Sequence, residues 1–566
     1  MTPPSLVVLA LIGAGVIIYR IYRKVKHATL SKLHGPPSES YIIGNLREYF
    51  HTQAGEIDFA WQEQYGDVVN FKGFFGEDHL MISDPKALQY ILHTAAYRFM
   101  KPPERRAVSA LLSGMGLVWA EGLAHKRQRR IMTPAFGMKE SKELVPLFFT
   151  YASKISDKWN DALTLSATDE KMVLDVSDWT ARATLDAMGV AAFDYHFDTL
   201  ENGNNELGNT YTNLCLDVFG QVSTRELYMQ ALGLIIPKKL LSCLKGLKGE
   251  SPNPRIQTLI NASIVATKVA KDLIASKSHD STSSNSHDVM SLLGKSFLRI
   301  HLEILALRHP IVRANESENE KTRMSDHEMV AQMRTMLLAG FETTATSLTW
   351  TLFELALHAD VQDRLRQEIH QKEREIKARG DIAFTPNDFE DMPYLTAVLK
   401  ESLRFNPAAY YIYRQPSKDE VIPLSTPITS PSGKILNEIV VPKNTKITIS
   451  INGYNRNKAI FGHDSQLFDP DRWLTPGRVN KSVNVGVYGN SITFSGGIRS
   501  CIGWRFAVME LQAFLVELVG NFEFSPTPEA SMIRREACLV MAPTIEGHVK
   551  KTRYLPLLVK KAKRAL

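Results

Sequence analysis

Cysteine is scarce in this chain. Four occur in 566 residues, Cys215, Cys243, Cys501 and Cys538, and no two stand at the spacing of a zinc site. Four is too few to staple so long a chain, so a disulfide scaffold is excluded and a reducing compartment is favoured. An excess of one charge is also missing. The net charge is +7, and no basic run alternates with aromatics as a nucleic-acid groove requires, so nucleic acid is not expected as a partner. Such a mild balance suits an anionic membrane surface or an acidic protein better. No Pro/Gly/Ser linker separates two self-contained patterns, and there is no internal repeat. Length alone would allow three or more domains. With 44% hydrophobic residues and no linker, one large, mainly helical domain with a small β region (α+β) fits better.

What is present begins with an apolar run. Pro3 to Tyr19 carries no charge over roughly 17 residues, the short end for a membrane span. Arg20, Arg23, Lys24 and Lys26 follow, which keeps the carboxyl side cytoplasmic. A cleaved signal peptide would carry its charges before the run and a small-residue cleavage site after it. Neither is clear, so the expectation is an uncleaved, single-pass anchor over 1–22. A basic, Pro-rich hinge follows over 23–40, stiffened by Gly35-Pro36-Pro37, and then a catalytic domain over 41–566. Residues 67–83 alternate in places and are broken by Gly73 and Gly76, which reads as a β-hairpin. Asp84-Pro85 starts a helix through Ile91. The polar, low-complexity run 276–288 reads as a mobile surface loop.

Chemistry gathers around Cys501. It sits in a glycine-rich loop, Phe494-Ser-Gly-Gly-Ile-Arg-Ser-Cys-Ile-Gly503, just before an apolar helical pattern over 504–519. Helix N-terminal dipoles favour a thiolate, and a thiolate can ligate iron and favour O–O cleavage. A lone cysteine is more often buried and inert. Further upstream, Ser325-Asp-His-Glu328 opens a long helix in capping-box style. Met333, Met336, Leu337, Gly340, Thr343, Thr344 and Ser347 recur at helical spacing on one face. Core packing explains the Met and Leu residues but not Gly340, Glu342 and Thr343 at mid-helix, where Gly costs roughly 1 kcal/mol against Ala.

The string Phe494-x-x-Gly497-x-Arg499-x-Cys501-x-Gly503 is similar to the haem-binding signature of the cytochrome P-450 family, and it reverses the odds for Cys501. Ala339-Gly340-Phe341-Glu342-Thr343-Thr344 resembles that family's oxygen-activation motif. The resemblance implies room for dioxygen at Gly340, a hydrogen bond from Thr343 and proton relay by Glu342. His125 and Arg129 stand where the family has Trp-x-x-x-Arg, at i and i+4 on one helical face. With Arg414 and Arg499 they are expected to hold the haem propionates. Glu401 and Arg404, with Arg472 of Phe468-Asp-Pro-Asp-Arg-Trp473, resemble the family's buried structural lock, with Trp replacing Phe. Residues 108–115, 333–338, 408–413 and 540–542 match substrate-lining regions, largely apolar with tyrosines at 410, 411 and 413. Residues 294–310 have no place in the pattern and read as a translated intron or, alternatively, an extra surface helix.

The resemblance covers nearly the whole chain. It implies a cytochrome P-450 fold with haem b between two long helices and Cys501 as axial ligand. It also implies insertion of one oxygen atom from O2 into a lipophilic small molecule, in the style of fungal terpenoid and secondary-metabolite enzymes. No flavin or nucleotide fingerprint is present, so NADPH electrons would come through a separate flavoprotein reductase, with cytochrome b5 as a second donor. The expected setting is the endoplasmic reticulum membrane, catalytic domain facing the cytoplasm. Lys126, Arg127 and Arg130 could dock an acidic redox partner or be a solvated face. A fatty-acid hydroxylase is the main alternative. A haem-thiolate isomerase or dehydratase, or a non-catalytic haem carrier, are rivals that would not need the Glu342-Thr343 pair.

Overall fold

A computed structural model describes residues 29–165, 171–203, 206–212, 214–235, 254–279, 324–547 and 552–564. The expected anchor over 1–22, the start of the hinge, most of the loop over 276–288 and the whole of 294–310 lie outside them. Among the described residues no helix is long and apolar enough to cross a membrane.

The helices that position the site are α1 (Pro103–Ser113), α2 (Gly122–Met132), α3 (Val145–Leu165), α4 (Val176–Phe193), α5 (Pro254–His279), α6 (Asp326–Leu357), α7 (Ala359–Ala378), α8 (Pro393–Phe405) and α9 (Trp504–Asn521). The α5 helix runs into the first residues of the stretch read as a loop, so 276–279 are helical. The strands are β1 (Val68–Lys72), β2 (Asp78–Ile82), β3 (Phe99–Met100), β4 (Lys171–Asp175), β5 (Tyr411–Pro416), β6 (Glu420–Thr429), β7 (Ile435–Val441), β8 (Lys446–Ser450), β9 (Phe522–Pro526), β10 (Ile533–Ala537), β11 (Met541–Ile545) and β12 (Pro556–Lys561). A mainly helical body with small sheets is what composition and patterning suggest.

Local chemistry sets the boundaries. Ser325 and Glu328 close the capping box at the start of α6, each side chain meeting the other's backbone N–H. Pro393 begins α8, and the helix stops before Asn406-Pro407 because proline cannot continue it. The expected hairpin forms: β1 and β2 pair antiparallel with Val68 opposite Ile82 and Lys72 opposite Asp78. Asp84 accepts from the Ala87 backbone N–H at 2.8 Å and starts the helix after it.

The hairpin extends into a five-stranded sheet of order β1-β2-β8-β5-β3, in which only β2 and β8 run parallel. This brings Tyr411–Arg414 beside the loop that precedes α1. A second sheet, β4-β12-β9, joins the carboxy-terminal strand to the first third of the chain. The main core lies between α3, α4, α6 and α9, around the fully buried Trp159, Trp350, Phe148 and Phe514. A smaller core under the five-stranded sheet holds Leu80, Ile82, Ile447 and Ile449.

Candidate active site

Between α6, α9 and the sheet edge lies a cavity of about 1250 Å³. Single-ligand pockets run to roughly 300–1,000 Å³, so this one has room for two occupants, a cofactor and a substrate. The Cys501 thiol opens into it. The loop is held from both ends: the Cys501 backbone N–H donates to the Phe494 carbonyl at 2.8 Å, and Arg129 donates to the Ser500 carbonyl at 2.6 Å and its hydroxyl at 3.2 Å. Burial raises the thiol above its ordinary range, while the Gly503 N–H and the Arg129 charge act the other way. A bound cation would favour the thiolate against that burial. The glycines divide the work. Gly497 has φ +66, and a Cβ there would lie 2.0 Å from the Leu92 carbonyl, so the loop needs glycine to pack on its neighbour. Gly503 would meet nothing nearer than Phe136 at 3.8 Å and leaves the cavity floor bare.

The α6 wall presents Ala339, Gly340, Glu342, Thr343 and Ser347. The Thr343 hydroxyl faces the cavity and donates back to the Ala339 carbonyl at 2.7 Å. Two expectations need correction. Met333 and Leu337 turn into the core rather than onto the cavity face. Gly340 lines the cavity, but the place of its missing Cβ is taken by the end of Met188, whose Cε would lie 2.0 Å from it, and Ala339 is the more exposed small residue. Glu342 is buried and ion-paired with Arg553 at 2.8 Å, while its second oxygen has no hydrogen-bond partner among the described residues. Burial raises this carboxyl, with Arg553 opposing. Arg553 gave no sequence signal, being a lone arginine 211 residues away.

A cationic rim carries the remaining expected residues. His125 and Arg129 share one face of α2, and Arg414 is buried within β5. The His125 ring meets the Tyr97 hydroxyl at 3.1 Å. Burial and the charges of Lys101, Arg499, Arg129 and Arg414 push it to about 3, so it is a neutral ring with an N–H to donate. Arg499 is already engaged, donating to the Ala96 carbonyl, to the Phe99 carbonyl at 2.8 Å and to Glu121, yet its Nε has no partner. Lys101 joins the rim, donating to the Ala120 carbonyl at 2.9 Å, and burial pulls it down to about 7. Sequence reading missed Lys101 and Glu121. With Glu121 the one carboxylate paired to Arg499, the rim has spare positive charge, which suits the two propionates of a haem. The bare floor, open thiol and unfilled donors fit that group.

The lock behind the loop is closed. Glu401 takes Arg404 through both oxygens, at 2.7 and 2.8 Å, and Arg472 at 3.4 Å, all three side chains fully buried. The Trp replacing Phe has a function of its own: Trp473 Nε1 donates to Glu401 at 2.9 Å. One buried group went unread. Glu510 on α9 is completely buried, and burial raises its carboxyl well above the ordinary carboxylate range, with the Thr344 side chain opposing. A glutamate inside the run Met509-Glu510-Leu511 was its only signal.

Sulfur at one wall, a hydroxyl and an acid at another, and a cationic rim define a haem-thiolate oxidoreductase. The chain belongs to the cytochrome P-450 family, whose sequence profile matches residues 34–548, and it uses haem b with a cysteine ligand. It is 30% identical to cytochrome P-450 monooxygenase 205 of Postia placenta over 99% of both chains. It is 31% identical to a ganoderic acid synthetase of Ganoderma lucidum, over 93% of this chain and 94% of that one. A cytochrome P-450 monooxygenase of Ampulloclitocybe clavipes is 30% identical over 98% of this chain and 97% of its own.

Proposed function

We propose that this protein is a monooxygenase that hydroxylates or epoxidises a lipophilic small molecule in fungal secondary metabolism, in the terpenoid class. The observation that carries the reading is the shared cavity: the open Cys501 thiol, the Thr343 hydroxyl and the Glu342 carboxylate line one space with apolar side chains such as Leu112, Met336 and Val540. The ganoderic acid synthetase among its relatives supports the substrate class. The haem, bound through Cys501, supplies dioxygen activation. The protein's residues then bind, shield and deliver protons. Thr343 holds a hydroxyl proton at the cavity edge. Glu342 feeds protons from behind it, its charge held by Arg553. One oxygen atom enters the substrate and the other leaves as water, using two electrons and two protons.

Those electrons come from NADPH through a separate flavoprotein reductase, with cytochrome b5 as a second donor. Lys126 and Arg130 are exposed on α2 and suit an acidic partner, whereas Arg127 is taken by Glu328. The anchor over 1–22 and the hinge over 23–40 place the domain 41–566 on the cytoplasmic face of the endoplasmic reticulum. The test is turnover under isotopically labelled dioxygen with reductase and NADPH, scanning terpenoid and fatty-acid candidates. One labelled oxygen per product, with NADPH consumed in step, is expected. Unlabelled, rearranged product formed without reductase would instead establish an isomerase or dehydratase.

A further inference from the structure

The cavity holds a cation that is ion-paired with no carboxylate of the described residues. Arg105 lies on α1 and lines the cavity. Its guanidinium stacks on the Tyr413 ring, 3.7 Å from the centroid. The adjacent Glu104 is drawn to Lys446 at 3.5 Å, and Lys446 also pairs with Glu77 at 3.2 Å. The Tyr49 and Tyr413 hydroxyls meet 3.3 Å apart at the same place. Burial keeps the Tyr49 phenol protonated, so it remains an O–H donor.

Arg105 is separate from the haem rim. Its guanidinium faces the Tyr413 ring beside Glu104, whereas the charges of Lys101, Arg414 and Arg499 bear on one another and on His125. A guanidinium withdrawn from bulk water needs compensation, and one aromatic face supplies only part of it. Its five N–H donors form a planar fork that matches a carboxylate through two parallel bonds. The same cavity is lined by Phe50, Phe71, Val108 and Leu112, with Glu104 and Lys446 paired beside them.

We propose that Arg105, with Tyr413 and Tyr49, is a subsite for the carboxylate of a lipophilic carboxylic acid substrate, anchoring it while its apolar body fills the rest of the cavity. The proposal rests on the monooxygenase reading and names its substrate chemistry. Two sources share that chemistry, a linear fatty acid and a fused-ring terpenoid acid.

The test uses purified holoenzyme, wild type and the Arg105→Leu and Arg105→Lys variants. Palmitic acid and abietic acid, each beside its methyl ester, are measured by equilibrium dialysis. At least one acid should bind wild type ~10–100-fold more tightly than its ester. Arg105→Leu should erase that preference without moving ester affinity, and Arg105→Lys should keep part of it. The preferred acid assigns the source. If neither acid exceeds its ester, or if the preference survives in Arg105→Leu, the subsite is overturned. Loss of haem in Arg105→Leu would move Arg105 to the cofactor rim and equally overturn it. Oxidation of neutral lipophiles by an enzyme without acid preference would leave the monooxygenase reading standing. Acid preference with no reductase-driven oxidation of any compound would remove that reading and leave the subsite.

Discussion

A single carboxylate, Glu401, carries two guanidiniums, an indole N–H and the Asp469 backbone N–H, all out of water. Removing it leaves buried Arg404 with carbonyl partners only and Arg472 with Asp464 as its remaining carboxylate, at a cost of ~3–5 kcal/mol. Glu401→Ala is therefore expected to yield protein without bound haem, read as a missing Soret band in purified material. Normal haem loading would refute this. Asp58 makes a different prediction. It is 1% exposed, accepts from the Tyr411 hydroxyl at 2.9 Å and from Ser450, and burial raises it from 3.8 to about 6. A raised carboxyl binds its proton more tightly in the folded chain than in the unfolded one. Its contribution is thus fullest below pH 3.8 and is lost as pH climbs through about 6. Asp58→Asn should flatten this pH dependence relative to wild type, by up to ~3 kcal/mol across the window. Parallel melting curves for the two proteins would disprove it. Cys501, Thr343 and the Glu401 lock were legible because their types and spacings are tied to chemistry. Arg553, Lys101 and Glu121 were not, because each acts through a partner the fold supplies.

Secondary elements were readable where caps and breakers mark them, as at Ser325 and at Asn406-Pro407. Face assignments were less secure. On α6 nearly every side chain is buried, so a periodic stripe cannot separate the cavity face from the core face, and Met333 and Leu337 were placed on the wrong one. Gly340 shows the consequence. Its small size serves the packing of α4 against α6 through Met188. Gly340→Ala gains roughly 1 kcal/mol of helix propensity, and the Met188 end can swing aside at similar cost, so stability should change by less than about 1 kcal/mol. Met188 lines the cavity, so its displaced end entering that space should lower substrate affinity several-fold. In a Met188→Ala background the same substitution should leave affinity unchanged. Equal losses in both backgrounds would mean that Gly340 acts on the substrate directly.

Across the whole molecule, the family pattern was legible from end to end because four motifs occur in the right order, and the fold brings them to the cavity or to the loop behind it. The substrate was not legible, since its lining comes from loops and strands far apart in sequence, with Arg105 meeting Tyr413 and Tyr49 only after the sheet forms. Surface charge gives a prediction at this scale. Reversing Lys126 and Arg130 to glutamate should slow reductase-driven turnover at low ionic strength, and the deficit should shrink above roughly 0.5 M salt as screening removes the attraction. A salt-independent deficit would argue against electrostatic docking. The Glu342–Arg553 pair has one more consequence. A ribosome must move 211 positions on from the first partner to reach the second. A nascent chain that has emerged only through α6 therefore bears an acid with no counter-ion, and maturation of the oxygen side must wait until translation is almost finished.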